Sequence, residues 1–157
     1  MAQIAQTASA VVLTAVVGSI ASTDTKSTWY RRLDKPAIQP PAVVFPIVWT
    51  ALYTDIAVTS ALVLDRLEED DDKDQANAFR AALAANLVLN AAWSWVFFKG
   101  HQLPAATAVA GALALSGADL VRRAAPTGRA RALALIPYAG WCTFATVLTA
   151  AIWRRNR

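Results

Sequence analysis

Charge is what this chain lacks where it matters most. Asp, Glu, Lys and Arg make up 17% of its 157 residues, against about a quarter in a soluble domain. They are absent from five stretches, 1–23, 36–54, 81–98, 102–118 and 132–153. Each approaches the ~20 residues that carry a helix across ~30 Å of hydrocarbon. A buried helix of a soluble protein is rarely so long without a charge, and five in succession argue against a soluble core. Helices satisfy their own backbone groups in lipid, so no hydrated interior is needed. The expectation is an all-α integral membrane bundle of five transmembrane helices, near 4–23, 41–64, 76–98, 103–123 and 130–153. They form one domain over 1–157, with a structured loop between the first two spans.

Other scarcities exclude whole classes of chemistry. Cys142 is the only cysteine; it cannot form an intrachain disulfide and reads as a small packing residue. His101, the only histidine, lies in a turn with no companion ligands, so a metal site is rejected. There is no hydrolytic triad, no nucleotide loop and no repeated half. No Lys or Arg precedes the first apolar run, so a signal peptide's basic n-region is missing and the run reads as a span. Asp65, Glu68, Glu69, Asp70, Asp71, Asp72 and Asp74 form an acidic segment. It lacks the Gly and terminal Glu of a calcium loop and reads as a solvated linker.

The net charge of +4 does not indicate a nucleic-acid partner. The basic residues gather at span ends, where phospholipid headgroups lie. With the N-terminus outside, Lys26, Arg31, Arg32, Lys35, Lys99, Arg154, Arg155 and Arg157 fall inside. Arg66, Lys73, Arg80, Arg122, Arg123, Arg129 and Arg131 fall outside. Eight against seven favours that orientation only narrowly.

What the chain does have is aromatic residues in register. Neighbours on one helix face lie three or four residues apart. Phe45, Trp49 and Tyr53 keep that spacing in the second span. Asn86, Asn90, Trp93 and Phe97 keep it in the third, and Tyr138, Trp141, Ala145, Leu148 and Ile152 in the fifth. A belt of interfacial tryptophans is the plainer reading. It suits Trp153 and Trp95, and suits Trp49 and Trp93 less well, because these lie within apolar stretches. For Asn86 and Asn90 the plainer reading is interhelical hydrogen bonding, which is compatible with ligand contact because an amide has several donors and acceptors. Asp55 lies about 200° around the second span from Tyr53, so it is expected to face away from the stripe and bond Thr59. Asp119 is four residues before Arg123, and a helix-end ion pair explains it. Small residues at Ala108, Gly111, Ala112, Ala114 and Ala118 make the fourth span a packing face, within the bundle or between copies.

Ahead of the second span, Pro36, Pro40 and Pro41 stiffen a charged loop that starts with Trp29 and Tyr30. A stiff loop of this kind is a candidate lid over an apolar pocket. Indoles lining such a pocket suit a planar hydrophobic ligand that stacks on their faces. Arg31, Arg32 and Lys35 can meet carboxylates at its mouth.

Residues 29–53, WYRRLDKPAIQPPAVVFPIVWTALY, resemble the TspO/MBR family of tryptophan-rich sensory proteins and translocator (peripheral-type benzodiazepine receptor-like) proteins. The matching residues are Trp29, Tyr30, Leu33, Lys35, Pro36, Pro40, Pro41, Phe45, Trp49, Thr50, Leu52 and Tyr53. The likeness continues in NAAWSWVFF through Asn90, Trp93, Phe97 and Phe98. It continues again in PYAGWCTFATVL through Pro137, Tyr138, Trp141, Phe144, Ala145, Thr146 and Leu148. The resemblance implies a five-helix receptor or transport protein of a bacterial cell membrane, often a homodimer. It implies binding of porphyrins such as protoporphyrin IX or haem-like tetrapyrroles, with no cofactor required. It also marks Trp29 and Trp141 as the indoles nearest any light-dependent breakdown of that ligand. Two departures stand out. Ala37 and Ile38 occupy the place where many relatives carry a lid tryptophan, and Ala150 and Ala151 replace the tyrosine of a proposed sterol motif.

The ligand-binding set expected from the sequence is Trp29, Phe45, Trp49, Tyr53, Asn86, Asn90, Trp93, Phe97, Tyr138, Trp141 and Ala145. Three functions remain open, in this order: a porphyrin-binding sensor, carrier or scavenger; a light-dependent porphyrin-degrading enzyme using Trp29 and Trp141; and a small-molecule or sterol transporter. The last lacks the broken helix pair that transporters use.

Overall fold

The structure, a computed structural model, describes residues 2–157. Six α-helices follow one another: α1 Ala2–Ser22, α2 Thr28–Arg32, α3 Val44–Glu69, α4 Lys73–Ser94, α5 Leu103–Ala124 and α6 Arg129–Arg155. All but the short α2 are long and apolar enough to cross a membrane. The architecture is all-helical, as the charge-free stretches require.

The helices stop where the local chemistry changes. Pro104 opens α5 in its first turn, where its missing N–H costs nothing. The carboxylate of Asp72 caps α4 by accepting from the Gln75 N–H at 3.1 Å. Directly after α4, Trp95–Lys99 is wound as a π-helix, closed by Gly100 N–H donating to the Trp95 carbonyl at 2.8 Å. His101 then turns the chain at φ 54°, a left-handed geometry in which His is among the better tolerated residues.

One boundary departs clearly from the sequence expectation. α3 runs to Glu69, not to 64, so the acidic segment is largely helix, and α4 starts at Lys73. The charges are engaged. Arg66 reaches Glu69 at 3.4 Å and Asp70 at 3.0 Å, three and four residues on, and Glu68 accepts from Arg80 of α4 and from Gln3 of α1. Only Asp70–Asp72 separate the two helices. Asp119 pairs at 2.6 Å with both Arg122 and Arg123, and Thr59 donates to Asp55 at 3.0 Å, both as the sequence suggested.

Packing follows the small residues. α5 and α6 form the most extensive pair, and α1 lies against α3 and α4. Gly117 allows the close approach of α5 to α6: a Cβ there would stand 3.3 Å from the Ala139 Cα. Ala108 and Ala112 remain exposed, as does Leu115 at 75%. The outer surface carries exposed Val12, Leu13, Val16, Val88, Leu115 and Val147, the inversion expected when the surrounding solvent is lipid.

Candidate functional site

Aromatic residues converge between α3, α4 and α6. Phe45, Trp49, Trp93, Trp141, Phe144, Ala145 and Leu148 line a small cavity of about 20 Å³. Trp49 meets Trp141 edge to face, centroids 6.4 Å apart at 90°. Phe45 sits edge-on to Trp141 at 6.1 Å, and Phe144 is tilted against it at 5.2 Å. Trp49 in turn stacks on Tyr53 at 5.3 Å. These residues meet because each helix presents a 3.6-period aromatic stripe to the same interior line. The cavity is narrow as it stands. A planar ligand of porphyrin size needs a pocket of roughly 300 Å³ or more, so indoles or lid must move to admit one.

Beneath the indoles runs a chain of buried hydrogen bonds. The Tyr53 hydroxyl donates to Asn90 Oδ1 at 2.8 Å, and Asn90 Nδ2 donates to the Tyr138 hydroxyl at 3.3 Å. The Tyr138 hydroxyl donates to Asn86 Oδ1, and Asn86 Nδ2 donates to Ser116 Oγ at 3.2 Å. The chain ties α3, α4, α6 and α5 together. Asn86 and Tyr138 are fully buried and Asn90 is 2% exposed. Each polar atom of the two amides is taken by protein. A buried network in which each polar atom has a partner fixes the register of the helices that carry it.

The loop over this end is ordered by specific contacts. Ser27 caps α2, its hydroxyl accepting from Tyr30 N–H at 3.2 Å. Trp29 stacks on His101 with centroids 4.0 Å apart and meets Phe97 edge-on at 5.7 Å. Tyr30 packs on Phe98 at 5.7 Å, and Gln39 Nε2 donates to its hydroxyl at 3.2 Å. Burial raises the Tyr30 pKa above its ordinary 10.0, the Gln39 hydrogen bond offsetting part of the rise. The Lys35 ammonium donates to the Tyr30 carbonyl at 2.7 Å and lies 4.5 Å from the Tyr30 ring centre, so it is committed to the loop's own structure. The far side of the loop is pinned to the end of α6. Asp34 N–H donates to Asn156 Oδ1 at 2.9 Å, Asn156 Nδ2 donates back to the Asp34 carbonyl at 3.0 Å, and Arg155 reaches the Asp34 carboxylate at 3.3 Å. Arg31, Arg32 and Arg154 are exposed at this face.

The sequence-derived set therefore divides into three groups. Phe45, Trp49, Trp93, Trp141 and Ala145 line the cavity. Tyr53, Asn86, Asn90 and Tyr138 form the network beneath it. Trp29 and Phe97 belong to the lid cluster, joined to the cavity through Trp93, which stacks on Phe97 at 5.5 Å. Trp141 lines the cavity and Trp29 does not. Phe144 and Leu148 line the cavity but were not in the set, although both lie on the stripe or motif around Trp141. Ser116 and Asn156 had no signal, since a single serine or a terminal asparagine carries no period. His101, read only as a failed metal ligand, is the stacking partner of Trp29.

A sequence profile of the TspO/MBR family matches residues 8–154. The chain is 34% identical over 158 residues to the tryptophan-rich protein TspO of Chlorobaculum tepidum, covering 98% of each. It is 32% identical over 148 residues to the protein of that name from Archaeoglobus fulgidus, covering 94% of this chain and 92% of that one. To the tryptophan-rich sensory protein of Cereibacter sphaeroides it is 33% identical over 128 residues, covering 82% and 77%.

Proposed function

The chain belongs to the TspO/MBR family as an integral multi-pass membrane protein, and on that premise we propose that it binds planar, porphyrin-like ligands as a sensor, carrier or scavenger. The observation that carries this reading is the convergence of Trp49, Trp93 and Trp141, with Phe45 and Phe144, on one cavity under an ordered lid. Indole faces and edges favour a flat π-system over a flexible chain. Exposed Arg31 and Arg32 on the lid helix supply charge-assisted contacts for peripheral carboxylates. Tyr53, Asn86, Asn90 and Tyr138 hold the helices in register below the ligand. We place the protein in a bacterial cell membrane with the N-terminus outside, and assign the exposed face of α5 around Ala108 and Ala112 to a homodimer contact, where small side chains let helices approach.

The test is a dark titration of the detergent-purified protein with protoporphyrin IX, followed by tryptophan quenching, with Trp141→Phe alongside. Saturable quenching that weakens in the variant is expected. Quenching that never saturates, or that ignores Trp141, refutes the reading.

A second reading, light-driven breakdown of the bound ligand, has one observation in its favour: the Trp141 indole is at the cavity wall and in edge contact with Trp49. There the bound porphyrin is the photosensitiser and oxygen is the oxidant whose atoms enter the ring as it opens, with the adjacent indole able to donate an electron or hydrogen. Illumination then gives product in the parent protein and little in Trp141→Phe at saturating porphyrin.

A further inference from the structure

The two ends of the bundle carry charge differently. The lid end, residues 24–43, 99–102 and 154–157, has eight basic and two acidic side chains, whereas the opposite end, residues 65–80 and 119–131, has seven and eight. At the opposite end the charges answer one another: Arg66, Lys73, Arg80, Arg122 and Arg123 each pair with a carboxylate. At the lid end Asp34 takes Arg155, while Arg31, Arg32 and Arg154 are exposed and make no ion pair among the described residues. The docked lid brings these charges together. The two bonds between Asp34 and Asn156 fasten the lid beside the end of α6. Arg31 and Arg32, just before Asp34, are thereby held in one surface patch with Arg154 and Arg157. Like charges set side by side repel, and a single exposed aspartate does not cancel them, so an anion at this patch stabilises the docked lid.

The surroundings say which kind of anion. Ile38 and Val43 of the same loop are exposed apolar side chains. Trp153, half-buried, lies under the Arg157 guanidinium at 5.5 Å, the position of an interfacial indole. Apolar side chains that enter the acyl boundary, beside basic ones that stay at headgroup level, make an interfacial membrane anchor. A free anion would use the arginines and leave Ile38 and Val43 in water.

We propose that the lid end docks on anionic phospholipid headgroups, and that these bridge Arg31 and Arg32 of the lid to Arg154 of α6 and hold the lid in place. A guanidinium suits this role because it takes a phosphate through two parallel N–H donors. The lid then responds to the leaflet it faces. An anionic leaflet fastens it; a zwitterionic one, whose phosphates are balanced by their own ammonium groups, leaves it to the Asp34–Asn156 bonds and its ring contacts. The opposite end makes no such distinction, because carboxylates match its basic side chains. The proposal concerns the lid itself and stands whatever ligand lies beneath it.

The test is backbone hydrogen exchange, read by mass spectrometry on the full chain in nanodiscs of phosphatidylcholine alone or mixed with phosphatidylglycerol. Both faces of a nanodisc hold the same lipids, so a difference between the two ends belongs to the protein. With phosphatidylglycerol the lid amides are expected to exchange about five- to thirtyfold more slowly, roughly fivefold for each exposed arginine of the lid, while residues 65–80 keep their rate. Arg31→Gln combined with Arg32→Gln should lose the response. Arg129→Gln, which removes an exposed charge from the opposite end, should keep it. Inorganic phosphate added to phosphatidylcholine discs at matched ionic strength should not reproduce it. Equal lid exchange in both lipids, or slowing of both ends alike, overturns the proposal. So does a response that survives loss of both lid arginines, is lost with Arg129→Gln, or is reproduced by free phosphate.

Discussion

Replacing Tyr138 by Phe removes one oxygen from the centre of the bundle and separates scaffold from ligand contact. That hydroxyl accepts from Asn90 Nδ2 at 3.3 Å and donates to Asn86 Oδ1. Both amides lie on α4 and the tyrosine on α6, so its loss breaks two interhelical bonds. It also strands an amide N–H and an amide oxygen in residues that are 2% and 0% exposed. Two magnitudes compete. Stranded buried polar groups in soluble proteins cost about 1–3 kcal/mol each. Side-chain hydrogen bonds between membrane helices average ~0.6 kcal/mol, with an upper value near ~1.7, because the unfolded state in the membrane also finds partners. The membrane scale is the relevant one, and two bonds give about 1–3 kcal/mol. The assay is reversible unfolding in mixed micelles, read by helical circular dichroism, with porphyrin affinity measured on the same samples. Stability is expected to fall by that amount, while affinity changes by less than about threefold, because Tyr138 does not line the cavity. A loss below ~0.5 kcal/mol refutes the network as a scaffold. An affinity loss as large as that of Trp141→Phe refutes the placement of the ligand above it.

Four further outcomes are expected. Asn156→Ala removes the reciprocal bonds to Asp34; with the lid pinned less firmly, stopped-flow mixing should show porphyrin entering and leaving roughly five- to thirtyfold faster, the two lost exposed bonds together amounting to about 1–2 kcal/mol. Gly117→Val forces a branched side chain against the Ala139 backbone, where a Cβ alone would stand at 3.3 Å; overpacking should cost about 1–3 kcal/mol. Gly140→Ala, where a Cβ meets nothing within 4 Å, should instead gain roughly 0.5–1 kcal/mol of helix propensity in the same unfolding assay. Tyr30 holds its proton more tightly in the closed lid than in the unfolded chain. Its contribution to lid closure is therefore complete below about pH 10 and declines as pH rises through the higher folded value. Tyrosinate absorbance against pH, compared with Tyr30→Phe, measures this.

The spans were legible because lipid imposes one rule, absence of charge over about 20 residues, and this chain obeys it five times. The cavity wall was legible for a related reason: Phe45, Trp49, Trp93, Trp141 and Ala145 sit on stripes whose period is that of the helix. Burial depth along a stripe was not legible. Period alone places Tyr53 and Trp49 on one face but cannot say that the tyrosine hydroxyl turns to Asn90 while the indole faces the cavity. The end of α3 was misread because charge was equated with loop, whereas Arg66, Glu69 and Asp70 support a helix through pairs three and four residues apart. The π-helical turn after α4 and the Asp34–Asn156 pin are tertiary features without a local sequence signature.

The central claim is that a flat ligand sits among the indoles of α3, α4 and α6, beneath the lid and above the amide network. A crystal structure of the protein grown in the dark with protoporphyrin IX tests this most directly. The expected result is the macrocycle against Trp49 and Trp141, the cavity widened from its present 20 Å³ by movement of the lid or the indoles, and the bonds of Asn86, Asn90 and Tyr138 intact. A macrocycle on the lipid-facing surface, with the cavity no wider than now, contradicts it.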